Sequence, residues 1–134
     1  MTALTSHPAR TGVGAIAVLF GLLTIASGGM ALFGSAESRA AVGNAVPFVL
    51  WFNFLAGFAY VATGAGIVAG RPWSLKAAVA IAGATILVFA LFGLHVLQGG
   101  AYEMRTVGAM ALRSGFWLFV AAYLGRRVRA GAAL

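Results

Sequence analysis

Arg113 lies inside TVGAMALRSGFWLFVAAYLG, a stretch that is apolar enough to cross a bilayer. An arginine at the centre of a membrane-spanning helix costs at least ~2.5 kcal/mol on insertion scales. Such residues usually face the interior of a helix bundle or a water-filled cavity, where they find partners. The surroundings of Arg113 therefore constrain both the fold and the position of a functional site.

The composition indicates a membrane protein. Hydrophobic residues make up 62% of the 134 residues, charged residues make up 8%, and the mean hydropathy is +0.99. A soluble domain of this length could not bury so much apolar surface, because its surface-to-volume ratio is too high. The chain has no cysteine, which excludes disulfides, thiolate metal ligands and thiol catalysis.

Four apolar segments are each close to the ~20 residues that cross ~30 Å of hydrocarbon. They cover approximately residues 12–33, 47–69, 73–97 and 102–123. The connections between them are too short to form another domain. The sequence therefore predicts an all-α fold, a single four-helix transmembrane bundle over residues 1–134.

The basic residues indicate how this bundle is oriented. Six of them lie on one side of the predicted membrane, whereas Arg39 and Arg105 lie on the other side, each near an acid. By the positive-inside rule, both termini of this multi-pass protein lie in the cytoplasm, across a bacterial-type cytoplasmic (inner) membrane. The net charge of +7 then reflects topology and requires no nucleic-acid partner. The six residues are Arg10, Arg71, Lys76, Arg126, Arg127 and Arg129.

Glycines in the first two spans have the spacing of helix-packing residues. Gly14, Gly21 and Gly28 are seven residues apart in the first span, and Gly57 and Gly64 are seven apart in the second. Small residues on one helix face let two backbones approach closely in a membrane. We therefore predict a packing role for both sets, with close approach to a cofactor as the alternative.

Polar residues from all four spans concentrate in the half of the bundle predicted to face outward. At ~1.5 Å per residue, Asn53 lies roughly 9 Å and Arg113 roughly 15 Å below the outer ends of their spans. The cytoplasmic half has almost no comparable side chain. This asymmetry predicts an outward-facing pocket formed by residues from the four spans, namely Ser27, Asn53, His95, Glu103 and Arg113.

Arg113 is predicted to be the electrostatic anchor of a small amphiphilic or anionic ligand. Tyr60 follows Asn53 at helical spacing, so both could orient the ligand from the second span. The alternative is structural: Arg113 could bond to backbone carbonyls, Asn53 and Tyr60 and hold the helices together.

Further residues extend the predicted pocket at its two ends. Trp117 shares a helix face with Glu103, and Phe92 shares one with His95. Glu103 and His95 would gate the mouth, while Trp117 and Phe92 would supply apolar walls.

The cofactor and the reaction class are not named by any motif. A quinone fits a pocket with aromatic walls and few polar groups. Copper is disfavoured because His95 and the methionines lack the spacing of a ligand set, and haem because a span contains only one histidine. No serine has a histidine and an acid at catalytic spacing, so a non-enzymatic role is favoured.

The second span, FNFLAGFAYVATGAG, resembles that of the DoxX-like family of small four-helix membrane proteins. In that family a polar, often acidic residue precedes glycines by about one and three turns, and Asn53, Gly57 and Gly64 occupy those positions here. The resemblance implies quinone-linked redox or envelope stress functions. Because Asn53 replaces a common carboxylate, it does not imply a proton-linked role.

Two other roles are compatible with the same residues. The protein could be a non-catalytic accessory subunit whose polar residues meet a larger membrane complex. It could also be a small-solute transporter, which would require a homo-oligomer such as a dimer because four helices rarely enclose a complete pathway. In every case the lipid bilayer is the first partner of the chain.

Overall fold

The computed structural model describes residues 2–131, with side chains described for residues 8–131. Within this range the chain contains five helices and no strand. Four of the helices are long and apolar enough to cross a membrane. The predicted all-α transmembrane bundle is thereby confirmed, and the chain is a multi-pass membrane protein. The helices are α1 (Thr2–Phe33), the short α2 (Ala36–Ala40), α3 (Pro47–Val68), α4 (Trp73–Leu97) and α5 (Met104–Arg129).

Two of the helices continue well beyond the apolar segments that predict them. α1 begins before residue 12, with Pro8 inside it, and α5 continues past residue 123 to Arg129. Hydropathy marks where a helix leaves the hydrocarbon, but the helix itself can continue into water. The last turn of α5 carries three arginines, which interact favourably with the negative end of its helix dipole.

Glycines hold α1 and α3 in close antiparallel contact. A Cβ built at Gly21 would lie 2.8 Å from the carbonyl oxygen of Gly57, and one built at Gly64 would lie 2.7 Å from that of Gly14. Side chains at these positions would force the two backbones apart. The predicted packing role of these glycines is confirmed.

The four long helices follow one another around the bundle in the order α1, α3, α4, α5. Neighbours in this order pack closely, whereas the backbones of α1 and α5, as far as they are described, have no extensive close approach. Side chains bridge these two helices instead: the rings of Phe20 and Phe116 meet edge to face, with centroids 5.2 Å apart. The gap between α1 and α5 is the least tightly packed seam of the bundle.

Buried side chains form two clusters along the bundle. We call the end where α1 ends and α5 begins the outer end, and the opposite end the inner end. The cluster nearer the inner end includes Tyr60, Trp117 and Leu124, all fully buried. The cluster nearer the outer end includes Phe92 and Met110.

Candidate functional site: a cleft between α1 and α5

A cleft of about 370 Å³ lies between the outer halves of α1 and α5. α3 lines it from behind, and the segment of residues 42–46 lines its outer end. No residue of α4 is among those that line it. Polar residues from three helices and the residue preceding α5 line this space: Thr24, Ser27, Asn53, Arg105, Thr106, Arg113 and Glu103.

Arg113 contacts α1 across the cleft. Its Nη2 donates to Thr24 Oγ1 at 3.4 Å, which is long for a hydrogen bond, and its guanidinium lies 5.6 Å from the centroid of the Phe20 ring. Its Nε is buried and, among the described residues, has no hydrogen-bond partner. Neither of the two acids of the chain, Glu37 and Glu103, forms an ion pair with it in the described structure. The positive charge therefore has weak compensation from the protein.

Asn53 of α3 and Ser27 of α1 line the same cleft as this arginine. Asn53 Oδ1 is buried, and no described group hydrogen-bonds to it. Ser27 lies on the exposed side of α1, and its hydroxyl donates to the carbonyl of Thr24 at 3.4 Å. A buried amide oxygen without a partner carries a desolvation penalty of about 1–3 kcal/mol. The cleft therefore has hydrogen-bonding capacity that the described protein groups leave unused.

The outer end of the cleft is tied to the start of α5. Glu103 Oε2 accepts a hydrogen bond of 3.0 Å from the backbone N–H of Asn44, and Glu103 Oε1 lies 3.8 Å from Arg105 Nη2. Arg105 Nη2 in turn donates to the carbonyl of Ala41 at 3.1 Å. Gly43 has a φ of +59°, and a Cβ there would lie 2.8 Å from Glu103 Oε2. Glu103 thus holds the segment over the outer end, where the sequence predicts a gate.

Tyr60 and Trp117 lie toward the inner end of the cleft rather than along its wall. Both are fully buried, and their ring centroids are 5.0 Å apart. The Tyr60 hydroxyl lies near Arg113 and Thr85, but no hydrogen bond of standard geometry satisfies it among the described groups. Neither ring lines the cleft, so direct contact with a ligand there would require a movement.

Phe92 and His95 are not brought to the cleft. Phe92 is buried in the outer cluster, where it packs against Tyr102 with centroids 6.0 Å apart. His95 lies beside Phe48 at the end of α4, and its Nε2 is 2.9 Å from the carbonyl oxygen of Ala101. Both belong to α4, which lies across the bundle from α1. The spacing of residues along one helix shows which of them share a face, but it does not show which helices enclose the cleft.

Four contributors to the cleft were missed by reasoning from the sequence: Thr24, Arg105, Thr106 and the 42–46 segment. Thr24 and Ser27 are three residues apart, so they share a face of α1, and this spacing could have identified Thr24. No comparable signal marks residues 42–46, because the contacts of that segment join positions that are 59 and 64 residues apart.

The cleft presents several hydrogen-bond donors and acceptors. It combines a guanidinium, hydroxyl groups and an amide, with one carboxylate at the outer end. Within residues 8–131, no three histidine, aspartate or glutamate side chains come together as a metal site. Comparison with known proteins finds no family model, no curated protein and no solved structure that matches this chain.

Proposed function

We propose that this protein binds a small amphiphilic ligand, such as a quinone or a lipid headgroup, in the cleft between α1 and α5. The observation that carries the proposal is Arg113, a cation roughly 15 Å below the start of its helix that has no carboxylate partner among the described residues. An arginine in that position is costly, and a ligand with acceptor atoms would offset part of the cost.

The surroundings of Arg113 favour this role over that of a structural clamp. A clamp would use several short hydrogen bonds, whereas Arg113 makes one of 3.4 Å to Thr24 and leaves Nε without a described partner. The Tyr60 hydroxyl lies nearby but makes no hydrogen bond of standard geometry with Arg113 among the described groups. Asn53, whose buried Oδ1 has no described partner, lines the same space. The volume of about 370 Å³ is near the lower end of ligand pockets, which span roughly 300–1,000 Å³. Such a cleft suits a headgroup or a ring, with an apolar tail left in lipid.

Mass spectrometry of the gently purified protein tests the proposal, together with a visible absorption spectrum. The wild type should retain a stoichiometric amphiphile, whereas Asn53→Ala should lose most of it. Ser114→Ala is the matched control, because Ser114 is a buried polar residue of α5 that does not line the cleft. A ligand-free protein that co-purifies with other membrane subunits would contradict binding and favour an accessory role.

The cleft would open toward the outside of the cell if the arginines determine orientation as expected. We propose that both termini lie in the cytoplasm of a bacterium, with the protein in the cytoplasmic membrane. The arginines in the last turn of α5 and Arg10, which donates to the carbonyl of Val68 at 3.3 Å, all lie at the inner end. This arrangement supports the orientation that the positive-inside rule predicts.

A further inference from the structure

We infer that the cleft takes the anionic group of a single-chain amphiphile, which enters sideways from the bilayer between α1 and α5. This inference rests on the proposed function and narrows it in three respects: the charge of the ligand, its route and its number of chains.

The charge follows from what surrounds Arg113. The cleft presents a guanidinium close to the hydroxyl of Thr24 and the amide of Asn53, and the nearest acid on the same helix face is Glu103, roughly 15 Å away by helix rise. Glu103 is already bonded to Asn44 N. A neutral quinone would leave the buried positive charge uncancelled, whereas a carboxylate or phosphate would cancel it and accept charge-assisted hydrogen bonds.

The route follows from which sides of the cleft are covered. The segment of residues 42–46 lines the outer end and is bonded to α5 through Glu103. α3 closes the back, and the Phe20–Phe116 contact closes the seam toward the inner end. The side between the outer halves of α1 and α5 remains, where small residues such as Ala31 and Ala109 line the cleft.

Exposed leucines flank that remaining side, as expected of a surface that contacts lipid. Leu23 and Leu112 are 59% and 64% exposed, and each lies within one helical turn of a lining residue. An amphiphile could therefore keep its chain against these leucines while its headgroup reaches Arg113.

A single chain fits the dimensions better than two. The cleft volume of about 370 Å³ accommodates little more than a headgroup. By helix rise Arg113 lies roughly 15 Å from the start of α5, about half of the ~30 Å hydrocarbon thickness, so a ligand must carry its charged group that far inward. A single-chain acid can slide down the seam, whereas a diacyl lipid would have to draw two chains out of its leaflet.

Equilibrium binding to the protein in phosphatidylcholine nanodiscs tests the charge, with palmitate, hexadecanol and decylubiquinone as probes. Palmitate should bind best. Arg113→Gln should weaken the affinity for palmitate roughly tenfold to a hundredfold, because a charge-assisted hydrogen bond is lost. Arg113→Lys should recover part of that loss. Acetate should not compete, and competition by acetate would overturn the amphiphile requirement.

The other outcomes separate the inference from the proposed function. If decylubiquinone binds as tightly as palmitate and Arg113→Gln weakens both equally, the anionic ligand is overturned while ligand binding stands. If no probe binds, both are overturned. Ala109→Phe should block palmitate by filling the cleft, whereas Ala111→Phe, at an exposed α5 position outside the lining, should not. Equal binding by these two variants would also overturn the site.

Photo-crosslinking tests the route. Palmitate that carries a diazirine in mid-chain should label peptides of α1 and α5 around Leu23 and Leu112, and excess palmitate should abolish the labelling. Labelling that is competed by palmitate but falls mainly on α4 would overturn entry between α1 and α5.

Discussion

The carboxylate of Glu103 accepts a hydrogen bond of 3.0 Å from the backbone N–H of Asn44, a residue 59 positions earlier in the chain. This bond joins the start of α5 to the segment that lines the outer end of the cleft. Arg105, which donates to the carbonyl of Ala41 at 3.1 Å, adds a second tie between the same elements. The outer end of the cleft is therefore held by two side chains at the start of one helix.

Glu103→Ala should release this segment. The Glu103 side chain is 29% exposed, so solvent screening reduces the bond to about 1 kcal/mol, or roughly a fivefold change in an opening equilibrium. Hydrogen exchange at the Asn44 amide should accelerate by about that factor. Glu37→Ala is the control, because it removes the same charge at the same end without touching the Asn44 bond. Equal acceleration in both variants would show that the loss of negative charge, and not the loss of the hydrogen bond to Asn44, causes the faster exchange.

Substitution of glycine by alanine should have different effects on stability at two positions, one in the contact between α1 and α3 and one on the open face of α5. At Gly21 the new Cβ would lie 2.8 Å from the Gly57 carbonyl oxygen and 2.9 Å from Tyr60 Cβ, so Gly21→Ala should destabilise the protein by about 1–3 kcal/mol. At Gly115 of α5 nothing lies within 4 Å, and Gly115→Ala should be neutral or stabilising by up to about 1 kcal/mol. Thermal unfolding in detergent measures both, and a stable Gly21→Ala variant would contradict the close contact.

The fold could be predicted from the sequence because lipid simplifies the problem. Each membrane-spanning helix must satisfy its own backbone hydrogen bonds, so apolar length alone identifies it. Glycine spacing identified the packed faces of α1 and α3. The predicted helix ends were less accurate, because α5 continues to Arg129, beyond the end of its apolar segment.

The site could be predicted only in part. Depth along each helix predicts that Asn53, Arg113 and Ser27 lie together, and all three line the cleft. Phe92 and His95 were placed there too, although α4 does not reach it. Depth is readable from the sequence, but the order of helices around the bundle axis depends on packing between faces that are all apolar.

The orientation of the bundle can be tested because the chain has no cysteine. Ser35→Cys places a thiol at an exposed position of the outer end, and Ala130→Cys places one at the inner end. In intact bacteria, a membrane-impermeant maleimide should label the first variant and should label the second only after lysis. The reverse pattern would invert the proposed topology and turn the cleft toward the cytoplasm.

Arg113→Met should stabilise the ligand-free protein while abolishing binding of an anionic amphiphile. The guanidinium has one hydrogen bond of 3.4 Å, a contact with the Phe20 ring and the nearby Tyr60 hydroxyl to offset its desolvation. Methionine fills a similar length at no such cost. Replacing poorly compensated buried charges with apolar residues is often neutral or stabilising by about 1–4 kcal/mol. Thermal unfolding without ligand should therefore show an equal or higher midpoint for the variant, and added palmitate should raise only that of the wild type. A large loss of stability in the ligand-free variant would instead identify Arg113 as a structural clamp between α1 and α5.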